Sequence, residues 1–235
     1  MKFAGMVKQS LVDYPGKVAA TLFTRGCNLR CPFCHNEHLL IKSERYEAIE
    51  LAYILEFLNE RKGFLDGVVI TGGEPTLNSQ LYNAIIEIKK IGYPVKLDTN
   101  GTNSILLEQL LNDNLIDYIA MDIKAPIIYE KYIKACNSLT KKDFFNIRTS
   151  ISILKKQNIE VEFKTTVVPE IHSPEDIVEI AKYIHGSKNY SLQQFNPQYT
   201  LDPRLNKLVP YSKKEMQEIA NKCLAYIENV RVVNI

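Results

Sequence analysis

Three cysteines, Cys27, Cys31 and Cys34, stand together in a chain of 235 residues, within the stretch Phe-Thr-Arg-Gly-Cys-Asn-Leu-Arg-Cys-Pro-Phe-Cys-His-Asn at 23–36. Closing so short a loop costs little chain entropy, so the three sulfurs can converge on one centre. Their number is informative. A structural zinc site closes with four protein ligands, and an ordinary iron–sulfur cluster is held by four cysteines. Three thiolates on a cubane of four irons leave one iron open to a ligand from outside the chain. Pro32 stiffens the loop, Arg25 and Arg30 can offset the charge of a thiolate-bound cluster, and Gly26 lets backbone approach it closely. The competing readings are a zinc knuckle with His35 as fourth ligand, and reduced cysteines lining a core.

Further polar residues follow runs that read as strands. Gly72-Gly73-Glu74-Pro75 comes directly after Val68-Val69-Ile70-Thr71. Two glycines expose backbone carbonyls and amides without side-chain obstruction, as recognition of a zwitterionic amino-acid group requires; a plain glycine turn is the alternative. Asp98 and Asn100 can hold ribose hydroxyls or a cation, or they form a strand-to-helix turn in which Asn100-Gly101 supplies positive φ. Asp122 and Lys124 are two residues apart and face the same way on extended chain, so Lys124 pairs either with a ligand carboxylate or with Asp122. Lys164 alternates with Glu162 and Thr166 and points inward, where it needs an anionic ligand or Glu162 as partner. Gln194 and Asn196 close the sixth strand. His35 and Asn36 can line a cluster pocket or start a helix. His38, His172 and His185 read as surface or satisfied residues. Cys136 has no adjacent base that would mark a catalytic thiol and reads as structural. Cys223 shares a helical stripe with Met216, Ile219, Ala220 and Ile227 and reads as core.

The elements that must position these residues alternate regularly. Strands are expected over 18–23, 68–71, 94–97, 118–121, 160–168 and 191–195. Helices are expected from Ser43 to about Arg61, over a stripe of Leu81, Ile85 and Ile88 stopped by Gly92, over 104–112, over 142–157, from Ser173 and from Ser212. Ser212 with Glu215 makes a capping box. Asp13-Tyr14-Pro15-Gly16 is a turn inside a short antiparallel lead-in over 1–17, and 230–234 adds a terminal strand. Six βα repeats imply a parallel sheet with right-handed crossovers, and six rather than eight units fit the length. The fold class is therefore α/β, a partial (β/α)6 TIM-like barrel, with 1–235 as one domain. In such folds the chemistry sits at the C-terminal ends of the strands, where the polar residues above fall.

Composition narrows the function classes. A net charge of +2 without a Lys/Arg block gives no case for nucleic-acid binding. No apolar run approaches a membrane span and the N-terminus lacks a leader pattern, so a cytoplasmic protein is expected. Five cysteines, three of them clustered, argue against a disulfide framework.

The spacing C-x3-C-x2-C, followed by Gly-Gly-Glu-Pro, resembles the radical S-adenosylmethionine superfamily. Ser10-Leu-Val-Asp-Tyr-Pro-Gly16, the cysteine loop, Gly72–Pro75, Leu97-Asp-Thr-Asn-Gly101 and Met121-Asp-Ile-Lys124 together resemble anaerobic ribonucleoside-triphosphate reductase activating proteins, and are similar to pyruvate formate-lyase activating enzyme. The resemblance implies a 4Fe–4S cluster on Cys27, Cys31 and Cys34, and S-adenosylmethionine held by Gly72, Gly73, Glu74, Asp98 and Lys124; Asn100, Lys164 and Asn196 join them as expected cofactor-binding residues from their places on the strands and at the strand ends. It also implies a monovalent cation at Asp98 and Thr99. The implied reaction is reductive cleavage of S-adenosylmethionine to a 5′-deoxyadenosyl radical that takes hydrogen from a glycine of a partner. That partner is a glycyl radical enzyme, with the anaerobic reductase placed first, and a flavodoxin- or ferredoxin-type protein donates the electron. The absence of cysteine between Cys34 and Cys136 implies a single cluster. The alternatives are a radical enzyme acting on a small molecule, as 7-carboxy-7-deazaguanine synthase does, and a non-enzymatic zinc- or metal-binding module.

Overall fold

In a computed structural model of the chain, residues 1–40 and 48–234 are described. They form an α/β fold whose strands pair mostly in parallel. Two compact units interleave along the chain. The first comprises Met1–Cys27, His38–Thr99 and Asn103–Ile119, the second Asn28–Glu37, Asn100–Thr102 and Ala120–Ile235.

The first unit holds β1 (Lys2–Phe3), β2 (Gly5–Ser10), β3 (Ala19–Thr24), most of α1 (Glu37–Leu40), β4 (Ile49–Glu50), α2 (Leu51–Glu60), β5 (Gly67–Gly72), α3 (Leu81–Ile91), β6 (Val95–Thr99), α4 (Ser104–Asn112) and the start of β7 (Tyr118–Asp122). β2 runs antiparallel to β3, while β3–β5 and β5–β6 are parallel. Ala19, Ala20, Leu22, Val68, Val69 and Ile70 are wholly buried, the outcome expected of strands covered on both faces, which need no alternation. Leu81, Ala84, Ile85 and Ile88 give α3 its buried stripe, and Gly92 ends it in the left-handed region.

The helix expected from Ser43 differs. Ser43 lies outside the described residues, and α2 begins only at Leu51, after β4 has paired with β1. Ile49 and Glu50 are thus committed to a strand pair. The buried face of α2 is Ile54, Phe57 and Leu58, with Leu51 and Leu55 only half-buried.

The second unit completes β7 and adds α5 (Tyr129–Ala135), α6 (Lys141–Leu154), β8 (Glu160–Val167), α7 (Pro174–Tyr183), β9 (Asn189–Gln194), α8 (Lys213–Cys223) and β10 (Asn229–Val233). β8, β9 and β10 pair in parallel in that order. Reciprocal capping boxes start α6 (Thr140, Asp143), α7 (Ser173, Asp176) and α8 (Ser212, Glu215), satisfying N–H groups that have no partner inside a helix. α5 has no counterpart in the sequence reading, because seven residues carry too little periodicity to register; its buried members are Tyr132 and Ala135. α6 stops at Leu154 rather than 157, and β9 starts two residues before Ser191. Among the described residues, no helix is long and apolar enough to cross a membrane.

Two local devices fix the segments that carry the candidate residues. In the first unit, Gly73 N–H donates to the Thr24 carbonyl at 3.0 Å and Glu74 N–H to the Gly26 carbonyl at 2.8 Å. The approach is so close that a Cβ on Gly73 would lie 2.0 Å from the Gly26 oxygen, and one on Gly72 2.5 Å from the Thr24 nitrogen. Gly72 (φ +112°) and Gly26 (φ +81°) also adopt backbone that favours glycine. The residue before Cys27 is therefore bonded to the end of β5.

In the second unit, the buried ring of His172 performs the same service. Its Nδ1 accepts from Val168 N–H at 3.0 Å, which places the proton on Nε2, and Nε2 donates to the Lys124 carbonyl at 2.7 Å. The Tyr211 hydroxyl donates to the His172 carbonyl at 2.9 Å. Burial depresses the His172 pKa, so the folded state holds the neutral ring.

Replacing Gly73 by Ala should lower the unfolding free energy by about 1–3 kcal/mol, the usual cost of overpacking, seen as a lower urea midpoint at unchanged slope. His172→Leu leaves a buried N–H and a buried C=O without partners and should cost about 2–4 kcal/mol at pH 7.5. The sign of its pH dependence follows from the depressed pKa. The wild-type contribution is full above the ordinary imidazole value of roughly 6.5 and is lost as pH falls through the folded value. Denaturation curves of His172→Leu should therefore lack the part of the acid-side decline that begins below about pH 6.5 in the wild type.

Candidate active site

In the first unit, the end of β5 and the end of β6 meet around one carboxylate. Glu74 is buried, and its Oε1 accepts from Thr76 N–H (3.1 Å), the Thr76 hydroxyl (2.5 Å) and the Thr99 hydroxyl (2.7 Å). Glu74 thus caps a short 3-10 turn at Pro75–Leu77 and fixes Thr99. Asn103 Nδ2 donates to the Thr76 carbonyl at 2.8 Å, tying the start of α4 to the same turn. On β6, Asp98 and Lys96 share one strand face, and Lys96 Nζ stands 2.5 Å from Asp98 Oδ1 with only 4% of its side chain exposed. The Lys96 ammonium also lies over the Tyr118 ring, 5.6 Å from its centroid. The Lys96–Asp98 pair escaped the sequence reading, although the period-two spacing that linked Asp122 to Lys124 applies to it equally.

In the second unit, Cys31 and Cys34 share a turn closed by Cys34 N–H to the Cys31 carbonyl at 3.0 Å. Arg30 N–H donates to the Asn137 carbonyl at 2.9 Å, and Asp202 N–H to the Pro32 carbonyl at 2.9 Å. Phe33 packs edge-on against His172, with ring centroids 6.2 Å apart. Asn28, inside the cysteine loop, donates to the Thr102 hydroxyl at 3.0 Å and to Asp143 at 3.3 Å. Asn100 in turn donates to Asn28 Oδ1 at 3.0 Å and accepts from Thr102 N–H and hydroxyl. Asn100 therefore holds the loop, a role the sequence reading did not assign to it. Asn28 was missed because nothing in its spacing distinguishes it.

Charge in this unit is centred on Lys124. Its ammonium lies 3.3 Å from Asp122 Oδ2, with 16% of the side chain exposed. Burial works against the charge, but Asp122 and then the sulfurs of Cys31, Cys136 and Cys34 outweigh it and raise the pKa. Lys124 is thus an ammonium within electrostatic reach of two motif cysteines. Cys31 has its thiol pKa lowered, first by its contact with Cys136 at 3.5 Å between sulfurs, against burial and with help from Lys124. Burial leads in raising that of Cys34. Two motif cysteines beside a fixed cation suit thiolate ligation, whereas a neutral apolar core would not retain Lys124 and Asp122.

The remaining expected residues make contacts of their own. Lys164 accepts Ile123 N–H at its carbonyl, at 2.7 Å, and is half-buried. Glu162, the partner sequence suggested for Lys164, is engaged by the Ser191 hydroxyl and, at 2.6 Å, by Arg231 from β10. Burial works against its ionisation, and those two bonds overcome it and lower the pKa. Asn196 is exposed, and its Oδ1 accepts Gln198 N–H at 2.9 Å in a local turn. His35 is exposed with its ring 6.4 Å from Phe195; His38 and His185 are exposed as well. Cys223 is buried in the stripe read from sequence.

The pattern of the Radical SAM superfamily matches residues 21–184. A Methanocaldococcus jannaschii protein named as a candidate glycyl-radical enzyme activating enzyme is 37% identical over 238 residues, covering 99% of this chain and 95% of its own. Pyruvate formate-lyase-activating enzyme of Clostridium pasteurianum is 27% identical, over 81% of this chain and 79% of its own. The crystal structure of QueE from Escherichia coli superposes with a TM-score of 0.57 at 16% identity, over 98% of this chain and 92% of that one, and so shares the fold. The superfamily's cofactors, a 4Fe–4S cluster and S-adenosylmethionine, are those the cysteine loop and the Gly-Gly-Glu segment were read to need. The chain is a radical S-adenosylmethionine enzyme and belongs to the glycyl-radical enzyme activating family.

Proposed function

We propose that this chain activates anaerobic ribonucleoside-triphosphate reductase, acting in the cytoplasm with an electron from a flavodoxin- or ferredoxin-type protein. The observation that carries the activating role is the match along nearly the whole chain to a relative of that description. The choice of reductase rests on the resemblance of the sequence blocks quoted above to activating proteins of that reductase, blocks that are similar to the lyase activator as well.

In this reading Cys27, Cys31 and Cys34 hold the cluster. When bound there, the cluster would supply the electron for reductive cleavage of S-adenosylmethionine, and the 5′-deoxyadenosyl radical so formed would take the partner's glycine hydrogen. The chain's own residues bind and orient. Gly72, Gly73 and Glu74 receive the ammonium of the methionine part. The Glu74 carboxylate keeps its shape because Thr76 and Thr99 already bond Oε1. Lys124, kept protonated by its surroundings, receives the carboxylate. Asp98, steadied by Lys96, takes the ribose side or, with Thr99, a monovalent cation. Asn100 acts through Asn28 on the cysteine loop. Lys164 and Asn196 complete the cofactor's surroundings.

The test mixes the anaerobically reconstituted protein with the reductase or, separately, with pyruvate formate-lyase, S-adenosylmethionine and dithionite. A glycyl radical by electron paramagnetic resonance, with matching 5′-deoxyadenosine, should appear with the reductase. A radical on the lyase alone would move the assignment to that partner. 5′-Deoxyadenosine rising with a small substrate and with neither protein would overturn the activating role.

Alanine at Cys27, Cys31 or Cys34 should each reduce bound iron and sulfide by roughly 10-fold or more, since loss of a ligand exceeds the 10–100-fold effects of outer groups, and should abolish 5′-deoxyadenosine. Lys124→Ala should retain iron yet weaken S-adenosylmethionine binding about 10- to 100-fold, the value of one charge-assisted bond, read by equilibrium binding to the loaded protein.

A further inference from the structure

We propose that Cys31 and Cys136 form a reversible disulfide in the cluster-free protein, making Cys136 the guard of a cluster ligand. The inference rests on Cys31 being that ligand. Both residues are buried, Cys31 to 8% exposure and Cys136 to none, and their sulfurs stand 3.5 Å apart. The approach is built into the backbone. Arg30 and Asn137 form an antiparallel bridge, so the next residues inward, Cys31 and Cys136, face each other across it. Residues opposed in this way have Cα atoms about 4.5–5.5 Å apart, inside the 4.4–6.8 Å range that a disulfide spans. The bridge is held by the Arg30–Asn137 hydrogen bond and by the Asp202–Pro32 bond behind it. Closing the sulfurs to about 2.05 Å thus asks for side-chain rotation, with the backbone already in place. The sequence separation of Cys31 and Cys136, 105 residues, hid the pair from any reading of spacing.

The oxidant is a peroxide. The Cys31 sulfur attacks one peroxide oxygen and the O–O bond breaks, giving a sulfenic acid and one water. The Cys136 sulfur then attacks the sulfenic sulfur, forming the S–S bond and releasing the second water. Two electrons pass from the sulfurs to hydrogen peroxide, and the two thiol protons leave in the waters. Cys31 held this way cannot bind iron, but it is kept from irreversible oxidation and returns on reduction by a dithiol.

The full-length protein, stripped of iron by a chelator under anaerobic conditions, is treated with one equivalent of hydrogen peroxide, alkylated and digested with trypsin. Cys31 and Cys136 fall on different peptides, because cleavage follows Arg30 and Lys134. Mass spectrometry should find them linked, and fragmentation should place the bridge at Cys31 rather than Cys34. Dithiothreitol should then restore iron uptake to that of the untreated sample. With three equivalents of hydrogen peroxide, two of which are consumed in taking one thiol to a sulfinic acid, Cys136→Ser should show sulfinic acid at Cys31, with iron uptake several-fold below its own untreated reference even after dithiothreitol, while the wild type given the same dose should recover. A bridge within Cys27, Cys31 and Cys34, no bridge at all, or full recovery of Cys136→Ser would each overturn the proposal. Failure of the untreated protein to take up iron would instead count against the cluster assignment, which the peptide map does not depend on.

Discussion

The contact on which the first unit's site depends is made by backbone alone. The Gly26 carbonyl accepts Glu74 N–H, and the Gly73 Cα lies so near that oxygen that no side chain fits. A hydrogen bond between peptide groups is modest in net stability. Its value here is positional: it joins the residue preceding Cys27 to the segment expected to receive an amino-acid ammonium. Glycine at 73 is what allows the approach, since a Cβ there would lie against the Gly26 oxygen, while Gly26 supplies the positive φ. Everything downstream, including the Glu74–Thr76–Thr99 network, inherits its place from this contact.

The second unit solves a different problem, keeping a cation beside thiols in a largely buried place. Lys124 and Asp122 are largely buried, and a lone charge there would be costly. Asp122 and the nearby sulfurs of Cys31, Cys136 and Cys34 together hold the ammonium charged. His172 fixes the Lys124 backbone through a neutral ring whose tautomer is set by Val168. A rigid, pre-charged lysine loses little freedom when an anion arrives, which is how preorganised sites convert contacts into affinity.

Much of this was readable from residue types because the governing patterns are local. The β-branched run at 68–71 and the stripe of α3 announced buried strand and amphipathic helix, and Ser212 with Glu215 announced a helix start. The exceptions have causes that are mostly not local. α2 begins late because Ile49 and Glu50 are taken by β1, a pairing between segments far apart in the chain. α5 is too short for periodicity to show. Arg231 joins Glu162 as a partner that the sequence did not suggest, because β10 lies beside β9, a neighbour relation with no signature in either segment.

By itself the sequence determined in what order the elements follow, because glycine, capping residues and short-range periodicity are properties of adjacent residues. It determined the family for the same reason, since C-x3-C-x2-C and Gly-Gly-Glu-Pro are contiguous. The tertiary structure alone decided which groups share a hydrogen bond or a charge: Asn100 with Asn28, Lys96 with Asp98, His172 with Lys124, Cys31 with Cys136. Side-chain partners are set by distance in space, and strand register and loop closure create that distance only once the chain has folded.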